Sequence, residues 1–277
     1  MSVASPAERA PVGGPASQPV HKAPGKLELV GQDPLLNRGM NAALAIHGNY
    51  AYIGSRTDSS HPNSGVLVVD ISKPSNPEVV GQIGPPNEGN VGETSRELRV
   101  WPEKDLLIVM NLGSNCSPAI HACSPRQQVE KDNFRFYDIS GPKAAAPVLV
   151  SEYEPSQDPH EFFLWDDPKR PGRALLFMST PGSDKQMLVT DISRARKGKF
   201  KEMGSWTTFI PDKEADRRLH SLTLSKNGKR AYLSYLGGGF FIVNTAEFAR
   251  GARNPKVKLV TPIKERVHWG DPASIRR

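Results

Sequence analysis

The sequence predicts an all-β protein, a β-propeller of four-stranded antiparallel blades, and three observations carry the prediction. A phrase recurs in near-identical form: VLVVDIS at 66–72, FRFYDIS at 134–140 and MLVTDIS at 187–193, with an altered fourth copy, FFIVNTAEF, at 240–248. A repeat period of about 50 residues marks an array of one supersecondary unit. Each unit then divides into four short β-rich runs separated by turn chemistry, as a propeller blade does. No stretch reads as a convincing amphipathic helix, and 25 Pro with 24 Gly among 277 residues suit a turn-dense β protein.

The elements follow in order. Residues 1–25 are rich in Pro, Ala, Gly and Ser without an apolar run, so they are expected to be disordered, and the propeller domain is expected over 26–277. LELVGQDPL at 27–35 repeats the outer-strand phrase EVVGQIGPP at 78–86, which makes about 27–32 an orphan fourth strand. Blade 1, about 41–86, reads NAALAI (41–46), YAYIGS (50–55), GVLVVDI (65–71) and EVVGQI (78–83). Blade 2, about 96–154, gives RELRVW (96–101), DLLIVMN (105–111), NFRFYDI (133–139) and PVLVSEY (147–153). Blade 3, about 160–207, gives HEFFLW (160–165), RALLFMS (173–179), QMLVTDI (186–192) and KFKEMGSW (199–206). Blade 4, about 219–263, gives LHSLTL (219–224), KRAYLSY (229–235), GGFFIVN (238–244) and KVKLVTP (256–262).

RVHWG at 266–270 compares with RRLHS at 217–221 and reads as a new first strand, the orphan at the other end. A closed ring has about 4–8 blades. Four full blades with an orphan strand at each end therefore predict an incomplete ring with exposed blade faces. The alternative is a closed four-bladed ring followed by a disordered tail.

The third strand of each unit is apolar on successive residues, as expected where neighbouring blades cover both faces. It ends at Asp70, Asp138 or Asp191, and at Asn244 in the fourth unit. Such a side chain can accept backbone N–H bonds in the following turn, so these four are read as turn formers. SKPSNP at 72–77 then forces the reversal, because Pro fixes φ and Ser and Asn bond locally.

LVVDISKPSNPEVVGQI at 67–83 resembles the LVIVD-repeat family, bacterial and archaeal β-propeller proteins named after a Leu-Val-Ile-Val-Asp run followed by Ile-Ser and a Pro-rich turn. The resemblance covers all four units and is nearest in the first; RARKGKF replaces the Pro turn in the third, and Asn244 replaces Asp in the fourth. It implies a propeller and, from the habit of the family, a secreted or surface-attached protein.

No apolar run reads as a signal peptide or a transmembrane segment. Cys116 and Cys123 share one polar stretch, NLGSNCSPAIHACSPRQQ, at a spacing that readily closes a disulfide ring, which would suit an oxidising compartment. A partial metal site with His121, or two free thiols, are the alternatives. The net charge of +7 invites a nucleic-acid partner, but basic runs such as RARKGKFK (194–201) and RGARNPKVK (250–258) lack interleaved aromatics and read as solvated outer faces.

Chemistry, if present, is expected from the first strands, which line a propeller channel. Aligned by unit these carry Glu97, then His160 with Glu161, then His220, then His268, with Asn41 at the equivalent place in blade 1. Converging imidazoles and carboxylates suit a divalent transition metal; they also suit a hydrogen-bonded, water-filled channel. The glycine run 237–239 reads as a hairpin, Asp166 and Asp167 as a turn, and Ser55, Ser179 and Ser234 lack a nucleophile elbow. Trp101, Trp165, Trp206 and Trp269 read as packing between blades, and His21, His47, His61 and His121 as surface residues.

The resulting functional reading is a non-catalytic binding or scaffold module, secreted or at the cell surface. It takes a protein or small-molecule ligand at connections such as 56–64 and 112–132 or in the channel. The alternative is a metal-dependent enzyme, an oxidoreductase or hydrolase, working through the axial His/Glu set.

Overall fold

A computed structural model of the protein describes residues 27–38, 40–57, 61–84, 94–113, 132–208, 210 and 218–267. The expectations for residues 1–25, His121, Cys116, Cys123, His268 and Trp269 lie outside the described residues. The chain divides into Met1–Val30 and Gly31–Arg277. In the first unit residues 27–30 are described and form no strand, and Leu27, Leu29 and Val30 are exposed. The orphan strand expected over 27–32 is therefore not formed: a strand requires a hydrogen-bonding edge, and no ladder among the described residues includes this segment.

The second unit holds four sheets, each of four antiparallel strands in chain order. Blade 1 comprises β1 (Asn41–His47), β2 (Tyr50–Ser55), β3 (Val66–Asp70) and β4 (Glu78–Ile83). Blade 2 comprises β5 (Thr94–Trp101), β6 (Leu106–Leu112), β7 (Asn133–Asp138) and β8 (Val148–Tyr153). In blade 3 follow β9 (Glu161–Asp166), β10 (Ala174–Ser179), β11 (Met187–Arg194) and β12 (Lys199–Trp206), and in blade 4 β13 (Leu219–Leu224), β14 (Arg230–Tyr235), β15 (Gly239–Asn244) and β16 (Lys258–Leu259).

The period of two along a strand explains the core. In β6, Leu107 and Val109 pack on Tyr52, Val66 and Val68 of blade 1, while Leu106, Ile108 and Met110 pack on Phe162, Leu176 and Met178 of blade 3. In β10, Leu176 and Met178 face blade 2, and Leu175 and Phe177 face Leu233, Phe241 and Val243 of blade 4. Every residue of β6 and β10 is buried, because each strand has a neighbour on both faces. β15 differs. Gly239, Phe241 and Val243 are buried, whereas Phe240, Ile242 and Asn244 are half-buried, so its outer face carries no comparable cover. The extensive contacts between blades run from 1 to 2, 2 to 3 and 3 to 4; among the described elements none of that extent joins blade 4 to blade 1. This open succession agrees with an incomplete ring.

Blade 4 also differs from expectation at its outer edge. Its fourth strand is only two residues long, and a short helix, α1 (Ala246–Arg250), intervenes with Phe248 buried against Phe177. Arg266 and Val267, expected to begin a new blade, instead return to blade 4, where Val267 bridges Phe240. The short β16 covers Val243 and Asn244 only, leaving backbone groups of β15 that a returning segment can satisfy, and Phe240 N–H donates to Val267 O at 2.8 Å.

Candidate functional site

The strand registers divide the blades into two ends. Asp70 lies opposite Tyr50, Asp138 opposite Leu106, Asp191 opposite Leu175 and Asn244 opposite Arg230, so all four repeat residues gather at one end. There each side-chain oxygen accepts the backbone N–H two residues on: Ser72 at 2.7 Å, Ser140 at 3.0 Å, Ser193 at 2.8 Å and Ala246 at 2.9 Å. We call this the turn end. At the opposite end Asn41 lies across from Ser55, Thr94 from Leu112, Glu161 from Ser179 and Leu219 from Tyr235. The connections after β2, β6, β10 and β14 therefore all leave from this loop end, together with the residues expected to line the channel.

At the turn end the repeat side chains hold the fold together. Asp138 receives Arg196 of blade 3 at 2.9 Å and Lys143 at 2.5 Å, and Arg196, more than any other contact, holds the Asp138 carboxyl far below the usual carboxylate range despite burial. Arg196 also donates to the Lys104 carbonyl. The basic run containing it is thus partly an inter-blade clamp and not simply a solvated face. Asp167, beside a cavity of about 740 Å³ lined by Trp165, Lys169 and Lys229, is likewise spent. Burial alone would raise its pKa, but bonds from Lys169 N, Arg170 and Arg173 carry it below the usual value. His47, expected at the surface, is 3.6 Å from Asp105 of blade 2.

At the loop end, β-bulges place the functional groups. The β5 ladder pairs Ser95 with Asn111 and then Glu97 with Met110, so Arg96 is the extra residue. The β13 ladder pairs Leu219 with Tyr235 and then Ser221 with Ser234, so His220 is the extra residue. A bulge re-aims its side chain away from the regular alternation. Blade 3 contributes His160, whose N–H donates to Ser179 O at 2.8 Å, and Glu161, whose N–H donates to Ser179 Oγ at 3.0 Å. Ser179 Oγ in turn donates to the His220 carbonyl at 2.9 Å, so one buried serine ties the backbones that carry Glu161 and His220.

The side chains then meet. The His160 and His220 rings lie 4.8 Å apart, centre to centre, at 65°. His220 Nδ1 is 3.7 Å from Glu161 Oε1. One donor atom from each of His160, Glu161 and His220 falls within 4.8 Å of the others. Arg96 Nη2 lies 3.3 and 3.2 Å from the two ring nitrogens of His160 and donates to its carbonyl at 3.1 Å. Glu97 pairs with Arg99 at 3.2 Å. Burial first, then the neighbouring Glu97, raises the Glu161 pKa, against lowering by His220, Arg96 and Arg99. Burial lowers the Arg96 pKa, with Arg56 adding to it.

Of the residues expected to line a channel, the structure brings together His160, Glu161 and His220, with Glu97 beside them, while His268 lies outside the described residues. Asn41 of blade 1 serves a different end: it accepts from Arg38 Nε at 2.8 Å, and Arg38 also donates to four backbone carbonyls, Ile53, Gly54, Asn63 and Gly65. Sequence reasoning missed Arg96. Its signal was weak, an arginine next to Glu97 in a strand whose bulge cannot be read from residue types.

The fold and this arrangement define a β-propeller-type repeat protein. Residues 38–83 match the LVIVD repeat model; the match falls on blade 1, from Arg38 to the end of β4, the unit whose sequence most resembles that repeat. No curated protein matches the chain in sequence. Among solved structures, Sqt1 from Chaetomium thermophilum bound to the N-terminus of the ribosomal protein L10 is 14% identical, with a TM-score of 0.52 over 82% of this chain and 53% of that one. Another structure of Sqt1 from the same organism is 13% identical, with a TM-score of 0.51 over 83% of this chain and 51% of that one. At such identities the likeness is one of fold, and this chain spans about half the length of those it resembles.

Proposed function

We propose that this chain is a non-catalytic binding module, secreted or at the cell surface, that engages a protein or small-molecule ligand with its loop end. The observation that carries the reading is the division of labour between the two ends. At the turn end the repeat residues Asp70, Asp138, Asp191 and Asn244 are spent on backbone turns. At the loop end stand the bulged side chains Arg96 and His220, and the strands that carry all four β2–β3-type connections end there. Function concentrates on connections held by a rigid scaffold. A precedent is Sqt1, a propeller-like neighbour that was solved with the N-terminus of a ribosomal protein bound.

The test is cross-linked capture, in chelator, with the wild-type chain and with a variant whose 56–64 connection is replaced by Gly-Ser. A specific captured species that is lost in the variant, yet kept when Lys169 and Lys229 at the turn end become Ala, is the expected result. Equal capture by all three proteins would sink the reading. A second reading, a metal-dependent oxidoreductase or hydrolase, is favoured by the meeting of His160, Glu161 and His220. It requires turnover that depends on an added metal and disappears in His220→Ala.

A further inference from the structure

We propose that His160, Glu161 and His220 form a site for one divalent transition-metal ion of the zinc class, built where blades 3 and 4 meet at the loop end. The site stands apart from the choice between partner binding and catalysis, since an ion there can serve either.

The donor set is the first argument. Two imidazoles and one carboxylate are ligands that zinc takes in open, three-residue sites. The spacing is the second. Ligand atoms about 2.1 Å from a tetrahedral ion lie roughly 3.3–3.5 Å from each other. His220 Nδ1 and Glu161 Oε1 already stand 3.7 Å apart, and all three donors lie within 4.8 Å, so side-chain rotation of about an ångström closes the set.

The third argument is preorganisation. Ser179 accepts from the backbone of His160 through its carbonyl, accepts from Glu161 through Oγ, and holds the His220 carbonyl with the same Oγ. These bonds fix the backbones from which the three side chains project, leaving the rings free to adjust. Side-chain exposures of 29% for Glu161 and 42% for His220 leave one side open to water, which gives the ion a way in and a fourth coordination position. Arg96 competes with the ion. Its Nη2 shares the ring nitrogens of His160, so binding requires that ring to turn away while Arg96 keeps its bond to the His160 carbonyl.

The test is titration of the metal-free full-length protein with Zn²⁺ by calorimetry and with Co²⁺ by visible absorption, in a Cys116→Ser, Cys123→Ser background so that thiols take no part. One saturable equivalent is expected, with Co²⁺ bands of a low-coordinate nitrogen/oxygen site and affinity that falls as the solution is acidified. His160→Ala and His220→Ala should each lose more than the ~10–100-fold that removal of a supporting group costs. Ser179→Ala, which removes a positioning group, should weaken binding within that range, and His47→Ala should leave it unchanged. Glu161→Gln, nearly isosteric, serves as the ligand variant should an alanine form fail to fold by circular dichroism. Absence of a saturable equivalent, or equal affinity in the ligand variants and the parent, overturns the site. Because partner capture is run in chelator, failure here leaves the binding-module reading to its own test.

Discussion

At the scale of single residues, Asp138 shows how a turn former acquires a second duty. Its Oδ1 caps the Ser140 N–H, while Arg196 arrives from the next blade and Lys143 from its own. The folded carboxyl is therefore depressed below the unfolded value of about 3.9. A depressed carboxylate contributes stability that is fully present above that unfolded value and is lost as pH falls below it toward the folded one. We expect Asp138→Asn to cost on the order of 1–3 kcal/mol at neutral pH, and the gap to wild type to narrow in urea melts run from pH 5 downward. A gap that stays constant with pH would assign the cost to packing instead. Asp70 makes the same backbone cap at a half-buried position where no arginine among the described residues pairs with it, and its carboxyl is lowered chiefly by Ser72. The repeat residue is thus a turn former everywhere and a clamp only where a neighbouring cation reaches it.

At the scale of elements, seams and bulges decide the geometry. A Cβ on Gly54 would stand 2.5 Å from Ser95 O and 3.2 Å from Arg96 O, so β2 approaches the bulged end of β5 as closely as it does only because residue 54 has no side chain. Gly54→Ala should destabilise by about 1–3 kcal/mol, as overpacking does, and should displace Arg96; unchanged denaturant unfolding would mean that the seam has slack. The seam between blades 3 and 4 offers a second comparison. Phe177 is fully buried among Phe241, Phe248 and Leu233, whereas Phe240 stacks on Tyr232 across the half-open face. Phe177→Ala should cost about 3–5 kcal/mol and Phe240→Ala clearly less. Equal losses in chemical denaturation would show that the outer face of blade 4 is as well covered as its inner one.

At the scale of the whole array, the blades are joined by neighbour-to-neighbour seams, and stability in such an array is a sum of unit and interface terms. β6 and β10 sit between two seams each, and β15 borders one. Hydrogen exchange should therefore be slowest in β6 and β10 and faster in β15 and β16, with opening that starts at blade 4. Protection in β15 equal to that in β6 would contradict an open arc. No helix among the described residues is long and apolar enough to cross a membrane.

The strand content was legible in the sequence because it rests on local chemistry. YAYIGS, EVVGQI and LHSLTL coincide with β2, β4 and β13, and the Asp that ends each apolar run caps its own turn within two residues. A period of two and an Asx turn need no distant partner to be recognised. The alignment of first strands likewise carried His160, Glu161 and His220 to one register. What the sequence could not specify was anything that depends on which edge or seam lies alongside. LELVGQ has the composition of a strand but no ladder, and Val267 pairs with Phe240 because β16 leaves that edge uncovered. Arg96 and His220 reach the cluster through bulges, and a bulge is fixed by the count of residues on two paired strands. Local pattern thus determined the blades, and tertiary pairing alone decided which side chains meet between them.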